Sequence, residues 1–174
     1  MCAALDRQHP RDLFDIKYML LNDTFTDEIK RGFLLCLLSS DQPLHQLLRH
    51  NHIDQTRTLD EHFKGMTEDN FTYEEFEATR LLLDETIKTL LTDNDRSFIL
   101  SFKAGEPEWE KFGFSDFEKF PAIQWKLHNI RKLKTSNRTS HQQQYLALEK
   151  ILKASSSSSQ ILSLLQNSIT KMSV

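Results

Sequence analysis

Apolar residues recur every three or four positions through most of this chain, and no stretch convincingly alternates as a strand would. Ile29, Phe33, Leu34, Leu37 and Leu38 repeat at helical spacing behind Thr26, a suitable N-cap with Asp27 and Glu28 in the first turn. Pro10 suits a first helical position, where its missing N–H costs nothing, and predicts a helix to about Asn22. Pro43 opens a short helix through Arg49, and another covers Leu59 to Lys64, stopping at Gly65. Thr72-Tyr-Glu-Glu75 is a capping box that starts the longest helix, to about Leu91. Thr92 and Asp95 repeat the signal for a helix ending at Gly105. A turn with one helical turn in it follows over 106–113, then helices from Pro121 to about Lys134 and from Gln143 to Lys153. Ser155 to Ser159 reads as a polar linker, and Ile161 to Met172 as a frayed or partner-dependent terminal helix. The pattern predicts an all-α fold: an irregular multi-helix bundle of about seven helices, one domain over residues 1–153, with a flexible tail over 154–174.

Composition agrees. The 174 residues suit one domain, and only four Gly and four Pro favour long helices over many turns. The longest apolar run, Phe33 to Leu38, is far too short to span a bilayer, and no signal segment stands at the amino terminus. No membrane partner and a cytoplasmic setting are the expectation. The two cysteines make no disulfide framework; Cys36, inside an apolar run, is expected to be a buried thiol in a reducing compartment. The net charge of −3 conceals a split. Residues 1–118 carry 24 acids and 13 bases, whereas 119–174 carry nine bases and one acid, Glu149. Such asymmetry points either to docking of the two halves or to a basic surface for an anionic partner.

Two clusters stand out chemically. At the start of the Pro10 helix, Arg7, Arg11, Asp12 and Asp15 crowd together. Asp12 and Asp15 share a face, and Arg11 and Asp15 are spaced to pair. Paired carboxylates can hold Mg²⁺ or act as acid and base, and arginines hold phosphates. The same residues also fit a dipole-stabilised helix start with a surface ion pair. In 121–138, Lys126, Arg131, Lys132, Lys134 and Arg138 accompany Trp125 and His128. Ile123, Leu127 and Ile130 form one stripe, with Trp125, His128 and Lys132 opposite. There Trp125 either stacks on an unpaired RNA base while the cations meet phosphates, or belongs to the core. The seven histidines show no metal-ligand spacing, and Phe112, Phe114, Phe117 and Phe120 suit a buried plug under the Pro121 helix. If part of that aromatic surface is left open, it offers a face for a homodimer. There are no strand ends or Gly-rich loops to cradle a nucleotide.

The segment Ala3-Ala-Leu-Asp-Arg-Gln-His-Pro-Arg-Asp-Leu-Phe-Asp15 resembles the last shared motif of the abortive-infection nucleotidyltransferase toxins of the AbiEii/AbiGii type. Leu100-Ser-Phe-Lys-Ala-Gly-Glu-Pro-Glu-Trp109 and Phe120-Pro-Ala-Ile-Gln-Trp-Lys-Leu127 are similar to that family's carboxy-terminal helical region. The resemblance covers roughly residues 3–135. It implies that Arg7 and Arg11 help hold phosphates while Asp12 and Asp15 complete an active site by orienting a base or a metal-bound group. It further implies a tRNA or other RNA substrate and a cognate antitoxin. The family's amino-terminal mixed α/β domain, whose Gly-Ser motif and paired aspartates bind nucleoside triphosphate and Mg²⁺, has no match here. A basic residue usual just before the matched segment would fall ahead of Met1. The chain is therefore expected to be a carboxy-terminal part of such an enzyme, with no cofactor of its own and no transfer activity alone.

Overall fold

The computed structural model describes residues 1–22, 26–49, 51–68 and 70–154. Among them every regular element is helical: α1 (Cys2–Arg7), α2 (Pro10–Leu21), α3 (Asp27–Ser39), α4 (Leu44–Leu48), α5 (Thr56–His62), α6 (Tyr73–Leu90), α7 (Asp93–Lys103), α8 (Pro121–Ser136) and α9 (Arg138–Lys153). Single 3₁₀ turns at Trp109–Lys111 and Ser115–Lys119 lie between α7 and α8. The all-α single domain expected from the periodicity is the one observed. The linker over 155–159 and the terminal helix over 161–172 fall outside the described residues. No described helix is long and apolar enough to cross a membrane.

The elements start where side chains satisfy free N–H groups. Thr72 and Glu75 cap α6 reciprocally, and Thr92 and Asp95 do the same for α7. Thr26 Oγ1 accepts from Ile29 N at 3.4 Å, and His9 Nδ1 accepts from Arg11 N at 3.2 Å ahead of Pro10. Helix α9 begins five residues before the expected Gln143, because Asn137 Oδ1 accepts from Ser140 N at 3.0 Å. Helix α1 was not expected: its six residues lack a side-chain N-cap. It exists because Ala4 and Leu5 are buried against α2, α3 and α4.

Helix α2 lies on α6, α3 on α8, and α9 on α4, α7 and α8, around one core. Leu13, Leu34, Phe76, Phe102, Phe117, Ile123 and Leu148 are fully buried in it. The aromatic plug forms largely as expected. Phe112 stacks on Phe98 with centroids 3.8 Å apart and packs on Phe117, whereas Phe120 stays exposed. The expected burial of Cys36 is corrected: its side chain is exposed. Phe33, Leu34, Leu37 and Leu38 take the core side of α3, and Cys36 falls about 60° outside that stripe.

The C-terminal ends of α3, α6, α7 and α9 are closed by cations. Arg96 of α7 donates to Leu91 O (3.2 Å) and Lys88 O at the end of α6, and to Leu152 O (2.6 Å) at the end of α9. From α8, Lys126 Nζ donates to Ser40 O and, at 2.5 Å, to Gln42 O just past α3. Arg131 Nε donates to Gly105 O (2.8 Å) and Lys134 Nζ to Ala104 O (2.9 Å) just past α7. Such groups carry the negative end of the helix dipole and otherwise lack partners. Gly105 itself turns with φ 84°.

A second ionic device sits inside. Lys17 Nζ and Glu75 Oε1 meet at 2.9 Å with both side chains 4% exposed, tying α2 to the capping box of α6. Removing one member strands a buried charge. Lys17→Met is expected to cost about 3–5 kcal/mol in urea denaturation. Adding Glu75→Gln, which keeps the cap acceptor, should recover most of that loss. Gly105→Ala should cost about 1–2 kcal/mol, since an L-residue resists positive φ. The new Cβ would also stand 3.3 Å from Arg131 Cγ, so a fall in melting temperature should accompany it.

Candidate functional site

The α1–α2 joint is built around Gln8. This residue is buried, and with φ 51° it reverses the chain between the helices. Its Nε2 donates to Asn51 O at 2.7 Å, and its Oε1 accepts from Ile53 N (3.1 Å) and from Arg80 Nη1 (3.0 Å). Arg80 also donates to Ile53 O at 3.0 Å and pairs with Glu77. Gln55 Nε2 reaches Arg7 O at 3.3 Å. The joint is thereby bolted to α6 and to the loop before α5, and the side chains around it are held on a fixed base.

On that base, Arg7 Nη2 donates to Asp12 Oδ1 at 3.0 Å. Asp12 stands at the third position of α2, where the helix N-terminus favours an anion. Its other oxygen, Oδ2, is buried and without a hydrogen-bond partner. Arg11 and Asp15 are exposed, and they do not form the pair their spacing allowed; Arg7–Asp12 is the pair that forms. The four residues therefore share one edge, two joined and two free. Among the described residues no group of three or more His, Cys, Asp and Glu side chains is placed to hold a metal ion. Asp12 and Asp15 together offer two carboxylates, too few for a closed metal cage.

The basic segment divides in two. Lys126, Arg131 and Lys134 are the helix-end clamps described above; Lys134 also meets Glu106 at 2.8 Å. Lys126 is 8% exposed and so is withdrawn from any surface ligand. The acid-free stretch from 121 to 148 is thus largely explained by carbonyls taking the place of carboxylates as acceptors. What remains outside is Trp125, His128, Lys132 and Arg138. Trp125 is 62% exposed and stacks on His128 with centroids 5.8 Å apart, so it is not a core residue.

Gln8 and Lys103 were not singled out in the sequence, and Lys126 was read there as a surface cation for RNA, not as a buried one. Gln8 carries no pattern that marks it. Lys103 and Lys126 do: each sits in register with an apolar stripe, Phe98-Ile99-Phe102 in α7 and Ile123-Leu127-Ile130 in α8, and each is more than nine-tenths buried. Burial lowers both ammonium groups to about pKa 8. In contrast, burial pushes the Cys2 thiol up to about 12, with Cys36 alongside adding to the shift, so Cys2 is no nucleophile. Comparison with protein families, curated proteins and solved structures finds no match for this chain.

Proposed function

We propose that this chain is the helical module of a nucleotidyltransferase-type toxin of the abortive-infection, toxin–antitoxin kind. It completes an active site whose nucleotide-binding core lies on a separate α/β domain. The observation that carries this is the α1–α2 edge: an Arg7–Asp12 pair flanking the buried Gln8 turn, with one Asp12 oxygen buried and unpartnered. Leaving a buried acceptor unmade costs about 1–3 kcal/mol, a cost the fold carries at this edge. Arg11 and Asp15 beside it are exposed and equally unengaged. Arginines in such a place suit phosphate oxygens, and the two aspartates suit a base or a metal-bound group. The resemblance of residues 3–15 to the toxin motif supports the same assignment.

On this proposal the helical module alone transfers nothing, because metal and triphosphate must be gripped together in one place. Incubation with each labelled nucleoside triphosphate, Mg²⁺ and bulk tRNA should leave the tRNA unlabelled. Adding the α/β domain of a family member as a separate chain should restore labelling, and Asp12→Asn should reduce it about 100-fold or more. Labelling by the chain alone, or full labelling with the variant, overturns the proposal.

A second reading, a stand-alone RNA-binding module, is favoured by the exposed Trp125–His128 stack with Lys132 one turn beyond. Salt-dependent retention of tRNA that disappears in Trp125→Ala and Lys132→Glu would select it. Unchanged retention in both variants would reject it. Light scattering that finds a stable dimer without RNA affinity would point instead to an interaction module, binding itself or an antitoxin.

A further inference from the structure

Where the loop after α3 meets α7, α8 and α9, a cavity of about 190 Å³ opens. Its lining includes Asp41, Lys103, Lys126, Asn129 and Gln144, with Leu44 and Leu133 among the apolar part of the wall. Two lysines, 3% and 8% exposed, thus border one small space. They are unequally satisfied. An ammonium has three N–H donors. Lys126 spends two, on Ser40 O and Gln42 O. Lys103 spends one, on Gln144 Oε1 at 2.7 Å, a neutral acceptor. Three donors remain, and the amide nitrogens of Asn129 and Gln144 on the same wall make no hydrogen bond among the described residues.

Charge around the cavity is lopsided. Asp41 is the one carboxylate in the lining, and its side chain is exposed. His45 of α4 is held towards its neutral form, by burial first and then by the charge of Lys103. Its Nδ1 is buried and unpartnered. His141 of α9 faces Lys103 through that residue's backbone, ring Nε2 to Lys103 O at 2.8 Å. The Cys2 thiol of α1 is near enough to Lys126 to feel its charge, and stays protonated. Asp41 favours the charged form of Lys126, but one exposed carboxylate faces two buried ammonium groups. Burying like charges together is costly, and a bound anion relieves that cost.

We infer that this cavity is a binding site for a phosphate group, held by Lys103, Lys126 and the amides of Asn129 and Gln144. The size argues for a small ligand. Pockets that take drug-sized ligands run from about 300 Å³ upward, so this one suits inorganic phosphate or a small phosphomonoester, not a nucleoside triphosphate. The site is separate from the α1–α2 edge and does not depend on nucleotide transfer. Occupation would neutralise two buried cations at the junction of four elements and stiffen that junction.

The test is calorimetric titration of the whole chain at pH 7.5 with inorganic phosphate, glycerol phosphate and acetate, at constant ionic strength. Saturable binding of phosphate or glycerol phosphate, with acetate weaker, is expected. Preference for the free ion or for the monoester then tells which source the site serves. Lys103→Met should weaken binding about tenfold or more. Because that variant alters the interior, Asn129→Asp on the exposed rim gives an independent check and should weaken binding similarly by repelling the dianion. Lys64→Met, exposed and outside the cavity, should leave it unchanged. With sulfate, whose charge is constant across the range, affinity should fall as pH rises beyond about 8 and the two lysines lose their protons. No saturable binding below about 10 mM, or binding indifferent to both cavity variants, overturns the inference.

Discussion

The end of every α-helix leaves carbonyls without partners, and this chain has few glycines with which to close them. Long basic side chains do that work at α3, α6, α7 and α9. Arg96 gathers the ends of α6 and α9 in one guanidinium, and Lys126, Arg131 and Lys134 close α3 and α7. Each such bond joins two elements as well as satisfying an acceptor. The packing of α7, α8 and α9 is therefore inseparable from the capping of their neighbours. Its signature in the sequence is the acid-poor, base-rich stretch after residue 118. That stretch first looks like a surface for an anionic partner; for Lys126, Arg131 and Lys134 the anionic partner is the negative end of a helix.

The same economy places cations within the apolar stripes. Lys17, Lys103 and Lys126 all occupy core-facing positions, and each is answered differently. Lys17 has a carboxylate, Glu75. Lys126 has two carbonyls at the negative end of α3. Lys103 has one neutral amide. The series runs from full to poor compensation, and the least compensated ammonium borders the cavity. A buried charge this incompletely answered is hard to rationalise as packing alone, since an apolar residue of similar length would avoid the desolvation cost.

Helix starts and stripes were legible because they are local. Thr72 with Glu75, Thr92 with Asp95, and Pro10 and Pro121 at first turns each act within a few residues. What the pattern could not show were partners distant along the chain. Gln8 meets Asn51, Ile53 and Arg80, up to 72 residues away, and nothing near it in sequence announces a left-handed turn. Arg7 takes Asp12 in place of the spacing-favoured Arg11–Asp15 pair because the Gln8 reversal swings α1 back over the start of α2. The exposure of Cys36 and Trp125 was decided by which side of α3 and α8 the neighbouring helices cover. For α8 the stripe Ile123-Leu127-Ile130 already put Trp125 on the far side.

The buried side-chain atoms left without a hydrogen-bond partner are few: Asp12 Oδ2, His45 Nδ1, Thr79 Oγ1, Arg80 Nε and Glu85 Oε2 among the described residues. Thr79, Arg80 and Glu85 belong to α6, whose Arg80 already donates to Gln8, Ile53 and Glu77. The other two mark the edge and the surroundings of the lysine cavity. Helix α1 connects these regions: it begins at Cys2, close enough to Lys126 to sense its charge, and ends at Arg7. Six residues of helix span only about 9 Å. A short rigid rod thus ties the Arg7–Asp12 pair to the neighbourhood of Lys126. Two of the places where the fold leaves polar groups unanswered are therefore neighbours through one element, although their chemistry is of different kinds.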